Sequence, residues 1–489
     1  MARPSTTAPV SASRVIAPLV LAAFAYATAQ TTIVPVVPHV QETTGSTPSQ
    51  VAWLVTGFFV SSAGLTVLAG RLGDLFGRKR VLCAVLAVFT AGAALAAAGE
   101  TLAPIVAGRV VMGIGGGVFP LAYSILGARL PRDRAALGMG MISSMFGVGG
   151  ALGLPLGGLV AAATGHHGLF GGTAAVALLA LLAVAALVPA DHGGSGGSGS
   201  VDWLGAVLLS AALGGPLVAV SRAEEWGWSG PWTLGLLAGG AVAFALLLVV
   251  EGRVAQPLVD LAVMRRRDVW AANLITLLVS AGQGTMFFLV PQAVQLPEAS
   301  GVGLGVGVDR AGLFLLPTAL LVVVTGPVTG RAVARFGTRP PLLFAAVTGV
   351  CGAALLAAGA GSPVLLVVGS AVTGLAGGVT YAVLPALLAD AVPLDQLGGA
   401  NGVSTIVRHV SLAAVAQLAA AVLVLGTPQE ARYPQEWAFT LSYAVSAVLS
   451  ALALVPIGLL RSRRAAGADP AAGKPGGSEP AAPSTPQIR

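Results

Sequence analysis

The sequence predicts an all-α integral membrane protein of fourteen transmembrane helices, arranged as two six-helix bundles with two further helices inserted between them. Three observations carry this. Of 489 residues 55% are hydrophobic and 9% charged, against about a quarter charged in an ordinary soluble domain, and the mean hydropathy is +0.87. Fourteen apolar runs follow one another along the chain, each roughly 18 to 28 residues, enough at about 1.5 Å per residue to cross a hydrocarbon core of about 30 Å. The chain also repeats itself at an offset of 260 to 261 residues.

The runs lie near 15–37, 51–70, 81–99, 104–126, 136–163, 168–189, 203–220, 232–250, 269–291, 311–330, 340–359, 363–388, 402–425 and 438–460. Helix is the form expected of each, because backbone groups in lipid must be satisfied within the segment. The organisation that follows is a polar tail (1–14), a first bundle (15–189), a linker with two extra helices (190–268), a second bundle (269–460) and a tail (461–489). The last is rich in Ala, Pro, Gly and Ser, a composition that cannot bury a core and predicts disorder. The first run has no convincing cleavage site behind it and reads as a retained span.

Orientation follows from the cations. With the N-terminus cytoplasmic, 21 of the 26 Lys and Arg fall on the inner side and three (Arg222, Arg310, Arg432) on the outer, while Arg109 and Arg408 fall within spans. Both termini are therefore expected inside. A net charge of +7 does not point to nucleic acid, since the cations stand between apolar runs and not on one water-soluble face. Cys83 and Cys351 are alone in separate runs, so they read as small buried hydrophobes. His166-His167 is expected in an outer loop, and no His/Cys cluster for a metal and no P-loop is present, so neither a cofactor nor a metal is expected.

The stretch on which the chain turns is Gly70-Arg71-Leu72-Gly73-Asp74-Leu75-Phe76-Gly77-Arg78-Lys79-Arg80. Gly70, Gly73 and Gly77 permit close approach or positive φ, Asp74 is placed to accept hydrogen bonds from a neighbouring helix N-terminus, and the cluster around Arg78 holds the turn in water. Gly330 to Arg339 repeats it, with Gly330 and Gly337 in register. Gly108, Gly113, Gly116 and Gly117 similarly face Gly369, Gly374, Gly377 and Gly378 at an offset of 261. The stretch resembles the signature of the major facilitator superfamily, in which two homologous bundles rock about a central site.

Further motifs resemble the fourteen-span drug:proton antiporter branch of that family. The run Gly193 to Ser200 reads as a flexible linker, natural or synthetic, and Asp202-Trp203-Leu204-Gly205 after it resembles the opening of the branch's paired extra helices. Ile105 to Gly115 resembles the fourth-span motif, whose arginine, here Arg109, the family uses in proton transfer or gating. The plain alternative is a packing arginine bonded to carbonyls. Gly149, Gly153, Pro155, Gly157 and Gly158 resemble the fifth-span antiporter motif, with the proline one place later than usual. The first span departs from the branch: Gln30 stands where it has aspartate and Pro35 where it has asparagine. All spans lack an internal Asp or Glu, so any coupling falls to an acid at a span end, such as Asp74, Glu100 or Asp309, or to His409.

Helical spacing marks the expected cavity. Asn273, Thr276, Ser280, Gln283 and Phe287 share one face of the ninth span, Asn401, Ser404, Arg408 and Ser411 one face of the thirteenth, and Tyr26 and Gln30 one face of the first. Such faces are either cavity lining or glue between helices. Tyr123, Met145, Phe146, Phe288 and Tyr381 are further aromatic or soft candidates. With Arg109 and Arg408 inside and no acid, the expected cargo is neutral, zwitterionic or anionic, because a buried cation needs an acid.

The resemblance implies a non-enzymatic secondary transporter, working as a monomer, that exports drug- or antibiotic-like amphiphiles, with proton influx as the coupled step. A uniporter or importer of the same fold for a nutrient or anion is the second class, favoured by Gln30, and a membrane receptor or enzyme the third. Arg outnumbers Lys 24 to 2, a bias of GC-rich bacterial genomes, and the expected location is a bacterial inner membrane.

Overall fold

A computed structural model describes residues 11–33, 36–51, 53–190, 202–254, 260–359, 361–393, 396–427 and 433–460. The tail up to residue 10, Pro35, the linker at 193–200, Arg432 and the tail 461–489 lie outside them, as do the side chains of Pro155 and Asp309. The fold is all-helical. Twelve helices among the described residues are long and apolar enough to cross a membrane.

The first half contains α1 (Ala12–Thr31), α2 (Trp53–Phe76), α3 (Arg78–Ala98) and α4 (Leu102–Arg129). It continues into a 56-residue helical run, Arg132–Leu187, broken at Gly165 (φ 62°, ψ −160°). The limb before the break, 132–164, is α5 and the limb after it, 166–187, is α6. The sequence placed a loop here, with His166-His167 in it. Instead both histidines sit just past the break, where His166 Nε2 lies 2.9 Å from the Gly99 carbonyl and His167 Nδ1 2.6 Å from that of Ala97. Left-handed φ at a glycine suffices to turn the chain without a polar loop, and the imidazoles satisfy the last carbonyls of α3.

Between the halves lie α7 (Trp203–Ser221) and α8 (Pro231–Glu251). The second half contains α9 (Arg267–Gln295), α10 (Gly312–Phe336), α11 (Arg339–Ala358), α12 (Pro363–Ala391), α13 (Leu397–Leu425) and α14 (Glu436–Leu459). Each half has its own core. Tyr26 of α1 stacks on Phe58 (centroids 5.6 Å) and meets Phe89 and Phe119 edge-on, which fixes the centre of the first. Separate apolar clusters fill the second, one around Ile275, Leu342 and Val383, another around Leu289, Leu315 and Phe439. Two rigid bodies follow from this division, because close-packed cores move as units.

The halves meet along two matching seams. In one, α2 and α13 run antiparallel: a Cβ on Gly70 would lie 2.8 Å from the Gly398 carbonyl oxygen, and one on Gly402 3.1 Å from Val67 Cα. In the other, α5 and α10 do the same, with Gly140 backed on Gly326, and Gly330 so placed that a Cβ would lie 2.6 Å from Leu137 Cα. Gly70 and Gly330 are repeat equivalents, so the two seams are related by the internal pseudo-symmetry read from the sequence. Only glycine permits such backbone approach.

Candidate functional site

The turns α2–α3 and α10–α11 lie at one end of the molecule, the hinge end. Gly77 takes φ +98° and Gly337 φ +80°, a region where a side chain is strained. Asp74 Oδ1 receives Arg78 Nη2 at 3.2 Å and Nε at 3.3 Å, and Arg78 Nη1 donates to the Ser124 carbonyl at 3.4 Å. Gly73 packs on Leu121. The other Asp74 oxygen reaches across the seam, 3.0 Å from where a Cβ on Gly398 would stand, at the first turn of α13, whose unsatisfied N–H groups favour an anion. The repeat equivalent of Asp74 is Ala334. On that side the halves are tied instead by the ion pair of Arg132, at the start of α5, with Asp390, at the end of α12. Two different charge devices therefore close the same end.

Beyond the closed end a cavity of about 860 Å³ lies between the halves, within the range of small-molecule sites. Gln30 of α1, Gln283 and Phe287 of α9 and Arg408 of α13 line it, and Phe146, Phe288, Tyr381 and His409 join them. It extends away from the hinge end to Gln295, Ala311 and Gly312. Among the described residues, none that lines it is a carboxylate.

Arg408 is its centre. Only 5% of the residue is exposed, yet Nε and Nη2 have no hydrogen-bond partner. Its charge is held by ring faces, 3.2 Å from the Phe146 centroid and 4.9 Å from Tyr381. Cation–π contact is worth about 2 kcal/mol when desolvated, less than the cost of taking an ion out of water. The guanidinium is thus left with unused donors. Gln30 Nε2 and His409 Nε2 are also buried without partners, whereas the Gln283 amide reaches the Gly374 carbonyl only at 3.5 Å.

Several expected lining residues lie off the cavity. Tyr26 is in the core of the first half, its hydroxyl 2.7 Å from Ser62 Oγ. Ser280 is spent on the Tyr381 hydroxyl at 3.0 Å, and Asn273 faces Met264 Sδ at 3.9 Å. On these faces the polar groups serve as glue between helices. Tyr123 bonds Ser143 at 2.8 Å, and it borders only a small side pocket shared with Arg408. Met145 packs against the first core.

Arg109 is fully buried and does not line the cavity. Its Nε donates to the Leu54 carbonyl at 2.8 Å, its Nη1 to that of Ala29 at 2.9 Å, and its plane lies 4.2 Å from the Phe58 centroid. Two of its nitrogens thus join the far ends of α1 and α2, while Nη2 is buried without a hydrogen-bond partner. In the glycine-rich part of α5, Gly149 and Gly153 lie against Ala27 and Thr31, and Thr31 Oγ1 donates to the Gly149 carbonyl at 2.5 Å. Gly157 is buried and Gly158 lines the cavity. Among the span-end acids, Asp202 and Glu251 are both buried beside Gly205. The sequence had no means to find Leu213 and Leu217, which also line the cavity.

The tetracenomycin C resistance and export protein of Streptomyces glaucescens is 28% identical over 308 residues, 63% of this chain and 56% of that protein. The matched stretch thus spans little more than half of that relative. The uridine/deoxyuridine transporter of Lactococcus lactis subsp. cremoris is 29% identical over 378 residues, 74% of this chain and 76% of that one. The crystal structure of the human organic anion transporter MFSD10 (TETRAN) has the same fold, with a TM-score of 0.65 at 18% identity over 94% of this chain and 100% of that one. The Major Facilitator Superfamily model matches residues 19–353 and 273–487. With its twinned seams, the cavity between them and twelve helices of membrane-spanning length among its described residues, the chain belongs to the Major Facilitator Superfamily.

Proposed function

We propose that this transporter exports amphiphilic molecules bearing a hydrogen-bond acceptor or a negative charge, and that it belongs to the fourteen-span drug:proton antiporter branch. The observation that carries the cargo reading is Arg408, a buried cation with two unpartnered donors in an apolar, aromatic cavity with no carboxylate among its described lining residues. A carboxylate, enolate or polarised carbonyl supplies what the guanidinium lacks, and the rings take the apolar body. A permanent cation there meets like charge and no acid among the described lining residues. The α5 limb and the shorter apolar helix Trp203–Ala219 bring the twelve candidate spans to fourteen. The tetracenomycin relative supports the direction.

By the distribution of cations we read the hinge end as facing the cytoplasm, with both termini on that side of the cell membrane, and this conformer as outward-facing. Rocking of the halves about the cavity then carries cargo outward. His409, which lines the cavity beside Arg408, is the group placed to carry the coupled proton, and Asp74 and Gly77 gate through the seam they form. Nucleoside import, or uniport, is the second reading. It is favoured by Gln30, which replaces the acid of the first span, and by the uridine transporter relative.

The test is export from loaded cells or vesicles of benzylpenicillin (anionic), chloramphenicol (neutral), ethidium (cationic) and uridine, with and without an imposed pH gradient. Gradient-dependent export of the first two, with ethidium untouched, is the expected result. Export confined to ethidium, or uridine movement indifferent to the gradient, overturns it.

A further inference from the structure

Of the two inserted helices, α7 reaches the cavity. It runs antiparallel along α2 for most of its length. Ser210 lies against Gly64, a Cβ on Gly214 would stand 2.8 Å from Val60 Cγ1, and the Arg222 guanidinium lies 5.6 Å from the Trp53 ring. Three contacts in one register fasten α7 to the first half. At the hinge end it also touches the second half, where Ala206 and Leu209 share an apolar cluster with Val67 and Leu68 of α2 and Ile406 of α13.

The seam between α2 and α13 is tight from Gly70 and Gly398 to Val67 and Gly402. From that level outward the cavity lies between them, lined by Phe59 and Ala63 on one side and His409 and Val410 on the other. Leu213 and Leu217 of α7, the helix packed along α2, line it as well. Ala211, half a turn away on α7, is exposed on the outer surface.

We infer that α7 is the lateral wall of the cargo cavity on the α2–α13 side, and that Leu213 and Leu217 contact cargo and set which sizes and shapes are accepted. This rests on the cavity being the transport site. A cleft between two rocking bundles opens to lipid at its flank, and a helix carried by one bundle closes that flank in the conformer where the cleft is widest. The wall is apolar, so it selects by shape and leaves charge selection to Arg408.

Two measurements decide it. In protein lacking its own thiols (Cys83→Ser, Cys351→Ser) and held in lipid nanodiscs, Leu213→Cys, Leu217→Cys and Ala211→Cys are treated with a sulfonated, water-soluble methanethiosulfonate. Modification of positions 213 and 217 at least tenfold faster than 211 is expected. Equal rates, or a faster reaction at 211, overturn the inference. This labelling reads geometry alone, so it separates failure of the wall from failure of the export reading. In the export panel above, Leu217→Trp should change the ratio of benzylpenicillin to chloramphenicol export at least fivefold, while Ala211→Trp leaves it as in wild type. An unchanged ratio in Leu217→Trp, or the same change in both variants, removes the selectivity role.

Discussion

Consider Gly330→Ala at the seam of α5 with α10. Its new Cβ would lie 2.6 Å from Leu137 Cα and 2.9 Å from the Ala136 carbonyl oxygen, both backbone. Carbon atoms prefer about 3.5 to 4.0 Å, so the helices must part by about 1 Å, and no rotamer change relieves it. Overpacking of this kind costs about 1 to 3 kcal/mol. The two sides of the contact belong to different halves, so the cost falls only on the conformer in which the hinge end is closed. At 1.4 kcal/mol per tenfold, the closed population should fall by about 5- to 150-fold relative to the open one. Phe76 and Phe336, 58% and 59% exposed at the hinge end and one in each half, are sites for spin labels in the cysteine-free protein. Double electron–electron resonance should show the short distance giving way to a longer one in Gly330→Ala. Gly70→Ala, the repeat equivalent, should act alike. An unchanged distance distribution in folded protein would refute the idea that these glycines hold the closed end together.

Three further outcomes follow from the geometry. Arg109→Gln takes charged donors from the carbonyls of Leu54 and Ala29, at about 1.5 to 3 kcal/mol for each such bond, so it should lower the thermal midpoint in detergent by several degrees. A stable Arg109→Gln that has lost gradient dependence would instead favour a coupling role. Asp74→Asn weakens both the Arg78 pair and the approach to the first turn of α13. Membrane protein levels should stay normal while turnover falls severalfold, and wild-type turnover would contradict the role given to it. His409→Asn should leave benzylpenicillin binding within about twofold, a difference of roughly 0.4 kcal/mol, and abolish the response of export to an imposed pH gradient. A preserved response transfers coupling elsewhere.

How far this was legible from the sequence can be argued residue by residue. Gly77 and Gly337 announced the elbows because φ > 0 leaves a compositional mark, and the offset between Gly70 and Gly330 carried the twinned seam with it. Arg408 and Gln283 stood out because a polar group inside a span needs an explanation. Spacing alone gave the face of a helix but not what that face meets. Ser280 and Gln283 lie on one face of α9, yet the first is taken by Tyr381 and the second reaches the cavity. Tyr26 shares a face with Gln30 but ends among Phe58, Phe89 and Phe119. The wall formed by Leu213 and Leu217 left no signal, because a helix apolar all round shows no preferred face. The break at Gly165 was read as a loop since polar His166 and His167 follow it, and only the carbonyls of Gly99 and Ala97 account for their place in a helix.

The claim on which the rest turns is that Arg408 receives the acceptor group of the cargo, and a matched pair of ligands isolates it. Binding of benzylpenicillin and of its methyl ester is measured by scintillation proximity on wild type and Arg408→Gln. A charge-assisted bond to a buried guanidinium is worth about 1.5 to 3 kcal/mol, so wild type should prefer the acid to the ester by about 10- to 150-fold, and Arg408→Gln should bind the two within about threefold. Equal preference for the acid in both proteins, or a wild type that favours the ester, would contradict the account.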